Sequence, residues 1–303
     1  MLIVRNLRLS YDEKVFADVS FTLRPKAIYG IVGESGAGKS SLLNIIAGIT
    51  DPDQGEMMLD GVRLPYASQQ LVPGRSRIAL VPQDFQLDLY HTVEENVREA
   101  ILTYPEPKRQ KKVSEVLSWL NLIKHKNKLA KDLSGGEKQR LAIARALAKD
   151  PEWLLLDEPF SHLDFARKNT LIQYVKNIPV SRGIGVMVVS HEAHDLLTLC
   201  GKIAVLSRGK LSSFKKAPNV YFSLKNVGHA RLLGCVNEIN HDGTLIRFRP
   251  SQYVLDPVGI PLKLSRYYFN GLAYVHEFKT RKDEPVVLYA QGVLSPSITI
   301  KIL

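Results

Sequence analysis

Eight residues restrict the fold of this chain more than any others: Gly33-Glu34-Ser35-Gly36-Ala37-Gly38-Lys39-Ser40. An apolar run, residues 27–32, precedes them, and a helical pattern from Ser40 to Ala47, stopped by Gly48, follows. A strand that turns into a helix through glycines points several backbone N–H groups into the turn, and the helix adds its positive end at the same place. That makes an anion cradle. Lys39 is placed to reach the β- and γ-phosphates of a nucleotide, and the Ser40 hydroxyl to ligate Mg2+, with Ser41 next to it. The four fixed positions recur by ordinary residue frequencies in about one chain in a hundred of this length, so the surroundings must decide. A plain Gly-rich turn would not account for the Lys39-Ser40 pair.

Residues 78–81, 153–156 and 186–189 are short apolar runs, each ending in a polar residue, with helical stretches between them. Such runs predict a mainly parallel sheet buried by helices on both faces. From about 92 to 131 the pattern becomes helical. Thr92 and Glu95 have capping-box spacing, and residues 101–131 hold eight Lys+Arg against two Asp+Glu, as a solvated helix face would. From about 232, short runs between Gly, Pro and Asp turns read as strands. The expected fold is therefore an α/β P-loop NTPase with a mainly parallel sheet and a helical insert, plus a small all-β, OB-like C-terminal domain. Expected boundaries are 1–215 for the nucleotide-binding domain, with its helical subdomain at about 84–135, and 232–303 for the β domain, residues 212–231 connecting them. Alternation places Tyr267, Tyr268 and Phe269 in the core of that domain.

Trp153-Leu154-Leu155-Leu156-Asp157-Glu158 ends an apolar run in two carboxylates. Alternation along a strand sends them in different directions, so Asp157 can serve a metal shell while Glu158 polarises an attacking water. Phosphoryl transfer asks mainly for such positioning and charge stabilisation. Taken alone, two solvated acids at a strand end would look the same.

Leu133-Ser134-Gly135-Gly136-Glu137-Lys138-Gln139-Arg140 changes the balance. Ser134 and Glu137 have capping-box spacing at the start of a helix reaching about Ala148. Ser134, Gly135 and Gly136 also expose backbone donors at a helix N-terminus, a second phosphate-binding feature. One nucleotide needs one P-loop. A spare site makes sense if it serves the nucleotide held by another copy of the chain.

In this order and spacing, the three segments resemble the ABC ATPases. The resemblance implies further roles. Tyr11 stands where the family stacks an aromatic on adenine, although as a residue it could equally be an exposed turn tyrosine. Gln83 matches the glutamine that touches Mg2+ and water. Asp164, in Ser161-His162-Leu163-Asp164, matches the aspartate that crosses the dimer, with His162 where importer ATPases usually have alanine. His191 matches the histidine that contacts the γ-phosphate. The segment after Gln83, residues 84–92, follows the family pattern loosely; in the family it faces the transmembrane partner. Arg249-Pro250 matches a pair in importer ATPases with an OB-like C-terminal domain. In relatives such domains meet across the dimer and can bind a regulator or a small oxyanion, and a dimer-stabilising domain without ligand is the plainer alternative.

The resemblance implies a homodimer closing on ATP and Mg2+, with Glu158, His191 and Gln83 catalytic. It implies an ATPase at the cytoplasmic face of the cell membrane, energising import of a small solute through permease subunits, with a solute-binding protein as a further partner. Two alternatives stay open: an exporter or lipid-extrusion ATPase, and a soluble ABC ATPase working on nucleic acid. No run of about 18 apolar residues is present, so any pore comes from other chains. The net charge is +11, of which residues 201–303 hold fifteen Lys+Arg against six Asp+Glu. The excess therefore falls to the C-terminal third and bears on regulation or partner choice more than on hydrolysis; nucleic acid is not the expected partner. Cys200 and Cys235 have no metal or redox spacing and are expected to be buried free thiols.

Overall fold

The computed structural model describes residues 1–11, 14–161 and 163–303, with residues 11 and 14–18 described by their backbone alone. The chain divides into two units, Met1–Ala217 and Pro218–Leu303.

The strands of the first unit are β1 (Leu2–Tyr11), β2 (Lys14–Leu23), β3 (Ile28–Val32), β4 (Gln54–Leu59), β5 (Val62–Arg63), β6 (Ile78–Val81), β7 (Trp153–Asp157), β8 (Gly185–Ser190), β9 (Lys202–Ser207), β10 (Lys210–Leu211) and β11 (Lys215–Lys216). Its helices are α1 (Lys39–Ala47), α2 (Val93–Glu99), α3 (Glu106–Trp119), α4 (Gly135–Ala148), α5 (Phe165–Arg182) and α6 (Ala193–Leu199). The larger sheet runs β10-β9-β3-β8-β7-β6, with β11 also on β9. Its inner pairings are all parallel. Every residue of β7 and β8 is buried, which is why their sequences read as unbroken apolar runs: helices cover both faces.

A second, antiparallel sheet, β2-β1-β4-β5, lies outside the expectation of one parallel sheet. Its strands are hidden in the sequence because β1 has register shifts between Val4 and Leu7 and between Leu7 and Leu9. Each shift breaks the period-2 alternation by which a half-buried strand is recognised. Leu2, Val4, Leu7, Val19 and Leu23 from this sheet join Ile31, Leu42, Leu43 and Leu155 in one core.

The insert consists of α2, α3 and two short 3-10 turns, Ile123–His125 and Ala130–Asp132, before α4. Thr92 caps α2 in a full box: its N–H donates to Glu95 Oε2 at 2.7 Å and its hydroxyl accepts from Glu95 N at 3.2 Å. Buried Asn96 fastens the preceding turn, accepting from Asp88 N at 3.0 Å and donating to Asp88 O at 2.9 Å and Thr92 O at 3.0 Å. Of the basic run, Lys112 pairs with Asp150 at 2.8 Å, while Lys108, Lys111, Lys124, Lys126, Lys128 and Lys131 are exposed.

The second unit starts earlier than residue 232. The stretch read as a connection folds into α7 (Ala217–Tyr221) and α8 (Val227–Leu232). The fully buried Arg249 holds them. It donates to Tyr221 O at 2.7 and 2.9 Å, Ala230 O at 3.0 Å, and Gly234 O and Cys235 O at 2.9 Å each. A ribbon of β12 (Asn237–His241) and β13 (Thr244–Phe248) and a four-stranded antiparallel sheet follow. That sheet comprises β14 (Tyr253–Phe269), β15 (Tyr274–Thr280), β16 (Pro285–Ala290) and β17 (Ser297–Ile302), in the order β16-β15-β14-β17. Irregularities between Leu255 and Ile260 and between Leu264 and Arg266 let β14 curl over Ile239, Phe248, Phe278 and Leu288. The strands from β12 on form the expected OB-like, curled all-β part of this unit, which α7 and α8 precede.

Three expectations need correction. Tyr267, Tyr268 and Phe269 are not core residues: they are 49%, 48% and 61% exposed. They end β14 next to the 270–273 turn, past the point where core side chains face them, and Tyr267 stacks on His276 with centroids 5.7 Å apart. The basic excess does not lie mostly in the C-terminal domain: Lys202, Arg208, Lys210, Lys215 and Lys216 belong to β9, the turn after it, β10 and β11 in the first unit, which leaves residues 218–303 with ten Lys+Arg against six Asp+Glu. Cys200 is buried as a free thiol, but Cys235 is exposed.

Candidate nucleotide site

The parallel sheet brings its carboxyl ends to one edge. Val32, Val81, Asp157 and Ser190 end adjacent or near-adjacent strands, so the loops after β3, β6, β7 and β8 open on the same side. Ligands of open α/β sheets bind there.

After β3 the backbone turns so tightly that a Cβ on Gly33 would lie 2.5 Å from Leu206 O. Gly36 and Gly38 have φ of 75° and 93°, and Gly38 is the N-cap of α1. This is a cradle that only glycine can line at those points. Glu34, Ser35, Gly36 and Ser40 are exposed along it, Ala37, Gly38 and Ser41 are half-buried, and Lys39 is buried. The Lys39 ammonium donates to Gly33 O at 2.9 Å and Glu34 O at 3.1 Å, and lies 3.3 Å from Glu158 Oε1.

Asp157 ends β7, and Glu158 follows it outside the strand. The Ser40 side chain is near enough to Asp157 to favour its charged form, and Asp157 Oδ1 is buried without a hydrogen-bond partner. Burial raises its carboxyl above the usual range, the Glu158 charge adds to this, and Ser40 and Lys39 only partly oppose it. An orphaned carboxylate oxygen beside a serine hydroxyl is a hard-cation donor set, so the residues fit Mg2+. Glu158 adopts φ of 47°, a left-handed conformation that turns its side chain toward Lys39 and His191. Its carboxylate accepts from His191 N at 3.1 and 3.3 Å and lies 2.9 Å from His191 Nδ1. Its carbonyl accepts from the Ser161 hydroxyl at 2.8 Å.

Lys39, Ser40, Asp157, Glu158 and His191 thus form one constellation. Ser134, Gly135 and Gly136 are elsewhere. Ser134 caps α4 with its N–H on Glu137 Oε2 at 2.8 Å. A Cβ on Gly135 would meet Leu163 at 4.0 Å, and one on Gly136 would meet Arg167 at 3.5 Å. Asp164 belongs to this second group: its carboxylate caps α5 by accepting from Arg167 N at 2.9 Å. Gln83 is exposed past the end of β6. It is followed by Phe85 and Gln86 with φ of 64° and 47°, a strained turn to which Arg145 donates at Gln86 O. The Tyr11 side chain and His162 lie outside the described residues.

Sequence reasoning did not single out Arg145 or Lys168, whose side chains contact Gln86 O and the carboxylates of Glu192 and Asp195. The Lys168 ammonium lies 2.7 Å from Glu192 and 3.0 Å from Asp195. Nothing in the local sequence of a helical lysine says which carboxylates it will meet.

Residues 16–161 match the family model described as ABC transporter. The putrescine transport ATP-binding protein PotG of Escherichia coli is 34% identical over 269 residues, covering 87% of this chain and 70% of that protein. The chain belongs to the ATP-binding subunits of ABC transporters. Two further relatives of this ABC chain are the molybdate/tungstate import ATP-binding protein WtpC of Pyrococcus abyssi and the methionine import ATP-binding protein MetN of Carboxydothermus hydrogenoformans. Each is 36% identical; the matches cover 79% and 70% of the ABC chain and 69% and 65% of the relatives. Among solved structures, an ATP-binding cassette in a dimeric post-hydrolysis state with ADP and Pi superposes with a TM-score of 0.63 at 30% identity, covering 72% of this chain and 99% of that one. A component of the ABC transporter complex cbiONQ from Clostridium perfringens gives 0.67 at 25% identity, covering 73% and 90%. The ABC chain is thus an ATPase of the P-loop type, and no helix among its described residues is long and apolar enough to cross a membrane.

Proposed function

We propose that this chain is the ATP-hydrolysing motor of an importer for a small solute, working as a homodimer at the cytoplasmic face of the membrane. One observation carries the dimer. Lys39, Ser40, Asp157, Glu158 and His191 gather at one cradle, while Ser134, Gly135 and Gly136, a second phosphate-binding helix start, lie beside Leu163 and Arg167 instead. In a head-to-tail pair, each second group would close over the other copy's cradle, with Asp164 facing the partner.

The residues then divide the work. Backbone N–H groups of residues 33–38 hold the phosphates, and Lys39 exchanges its contact with Glu158 for the β- and γ-oxygens. Ser40 and Asp157 would hold Mg2+, with Gln83 completing that side; the ion, when bound, neutralises charge on the phosphates. Glu158, released from Lys39 but still held by His191, orients water and takes its proton. His191 donates toward the γ-phosphate, and Tyr11 serves the adenine. The first unit is the nucleotide-binding domain, with residues 84–135 toward the permease, and the OB-like unit is its accessory. The import names of the relatives WtpC and MetN support import over export. A solute-binding protein is part of the same proposal.

Glu158→Gln tests the reading. It keeps the hydrogen bonds to His191 in shape but cannot accept a proton, so hydrolysis falls on the order of 100-fold or more and ATP with Mg2+ traps a dimer visible by light scattering. A variant that stays monomeric at saturating ATP and Mg2+ refutes the sandwich.

A further inference from the structure

Lys168 joins two parts of the site that lie far apart in sequence. It sits one turn past Asp164, the cap of α5. Its side chain is largely withdrawn from solvent, and its ammonium lies between Glu192 Oε2, at 2.7 Å, and Asp195 Oδ2, at 3.0 Å. Glu192 follows His191 directly, and its N–H is fixed on Ser190 Oγ at 3.0 Å. Asp195 is buried in the first turn of α6.

The two carboxylates have different needs. Buried Asp195 requires a cation, because an unpaired charge there is costly. Glu192 does not: its side chain is 47% exposed and could turn to water. An exposed pair of this kind adds little to stability. Its geometric effect is larger. Through Lys168, the turn that carries Asp164 is fixed to the backbone that carries His191, and His191 is in turn fixed on Glu158.

We propose that Lys168 is a positioning residue that couples the Asp164 turn to His191, so that docking of a second copy against Asp164 and seating of His191 over the nucleotide occur together. This rests on the dimeric, hydrolytic reading given above. The tether predicts an effect on turnover with little effect on nucleotide binding, because none of its atoms belongs to the cradle.

The test uses the full chain and steady-state ATP hydrolysis with Mg2+. Lys168→Met keeps length and removes charge. It should lower kcat about tenfold while KM for ATP stays within about twofold, since small misplacements act on the chemical step. Lys168→Arg should recover most of the loss. In a His191→Ala background, Lys168→Met should add less than about a twofold loss, as expected for residues acting in series. Turnover of Lys168→Met within about twofold of the parent, or a full tenfold loss on top of His191→Ala, overturns the coupling. If Lys168→Met does not fold, Glu192→Gln carries the test, because it leaves the Lys168–Asp195 pair in place. It should slow turnover about threefold, and parent-like turnover overturns the proposal. Parent-like hydrolysis by His191→Ala would instead overturn the site assignment itself. That result is distinct from a failed tether, in which His191→Ala is slow and Lys168→Met is not.

Discussion

His191 grips Glu158 at three points: its backbone N–H meets both carboxylate oxygens, at 3.1 and 3.3 Å, and its ring Nδ1 lies 2.9 Å from Oε2. The backbone contact survives any substitution at 191 except proline, which has no N–H, so His191→Ala isolates the ring. With the main-chain bond still orienting Glu158, the variant should retain ATP affinity within about threefold and lose turnover on the order of 100-fold, the usual size for one positioned polar group. Steady-state ATP hydrolysis with a parallel nucleotide titration checks both halves.

Gly33 lies against strand β9 with no room for a side chain, since a Cβ would come within 2.5 Å of Leu206 O. That neighbour is backbone and cannot rotate away. Gly33→Ala should therefore shift the cradle, destabilise the first unit by about 1–3 kcal/mol and abolish ATP binding. Ala37→Gly, at the next half-buried position of the loop, should bind ATP. Thermal melts with and without ATP distinguish the two: the parent and Ala37→Gly gain stability from nucleotide, and Gly33→Ala does not.

The parallel sheet and the phosphate cradle were legible because each follows from a local rule. Four buried strands read as apolar runs, and glycines mark the turn after β3. Ser134 with Glu137, and Thr92 with Glu95, were legible as caps for the same reason. The antiparallel sheet was not, because the shifts in β1 destroy its alternation. Nor was the exposure of Tyr267, Tyr268 and Phe269: alternation says which side chains share a face, but not where along a 17-residue strand the core ends. The partners of Lys168 and Arg145 are set by helix packing, which no local pattern records.

Arg249 is a buried guanidinium with carbonyls for partners, over the Tyr221 ring at 4.1 Å. Burial lowers its pKa, and the bonds it makes hold α7 and α8 in place. Arg249→Met should leave the carbonyls of Tyr221, Ala230, Gly234 and Cys235 unsatisfied and cost the second unit about 3–5 kcal/mol. Arg249→Lys should rescue little, having three donors and no planar fork. Hydrogen exchange should show residues 218–235 losing protection first, with ATP binding in the first unit unchanged.

Asp157, ionised in its buried place at the end of β7, opposes folding. Burial holds its carboxyl pKa above the ordinary value, with the Glu158 charge adding to the shift. The folded protein therefore binds the Asp157 proton more tightly than the unfolded chain does. Ionised Asp157 destabilises the fold at neutral pH, and the penalty fades as pH falls through the raised folded value toward the ordinary one. Asp157→Asn removes the charge at nearly constant shape. It should raise the melting temperature of the nucleotide-free chain by about 2–4 °C at pH 7 and abolish Mg2+-dependent hydrolysis. The melting difference between Asp157→Asn and the parent should shrink on acidification, because protonated Asp157 comes to resemble the amide. A difference that holds constant or widens as the pH is lowered would contradict the burial of this carboxylate, and melting scans at several pH values measure it directly.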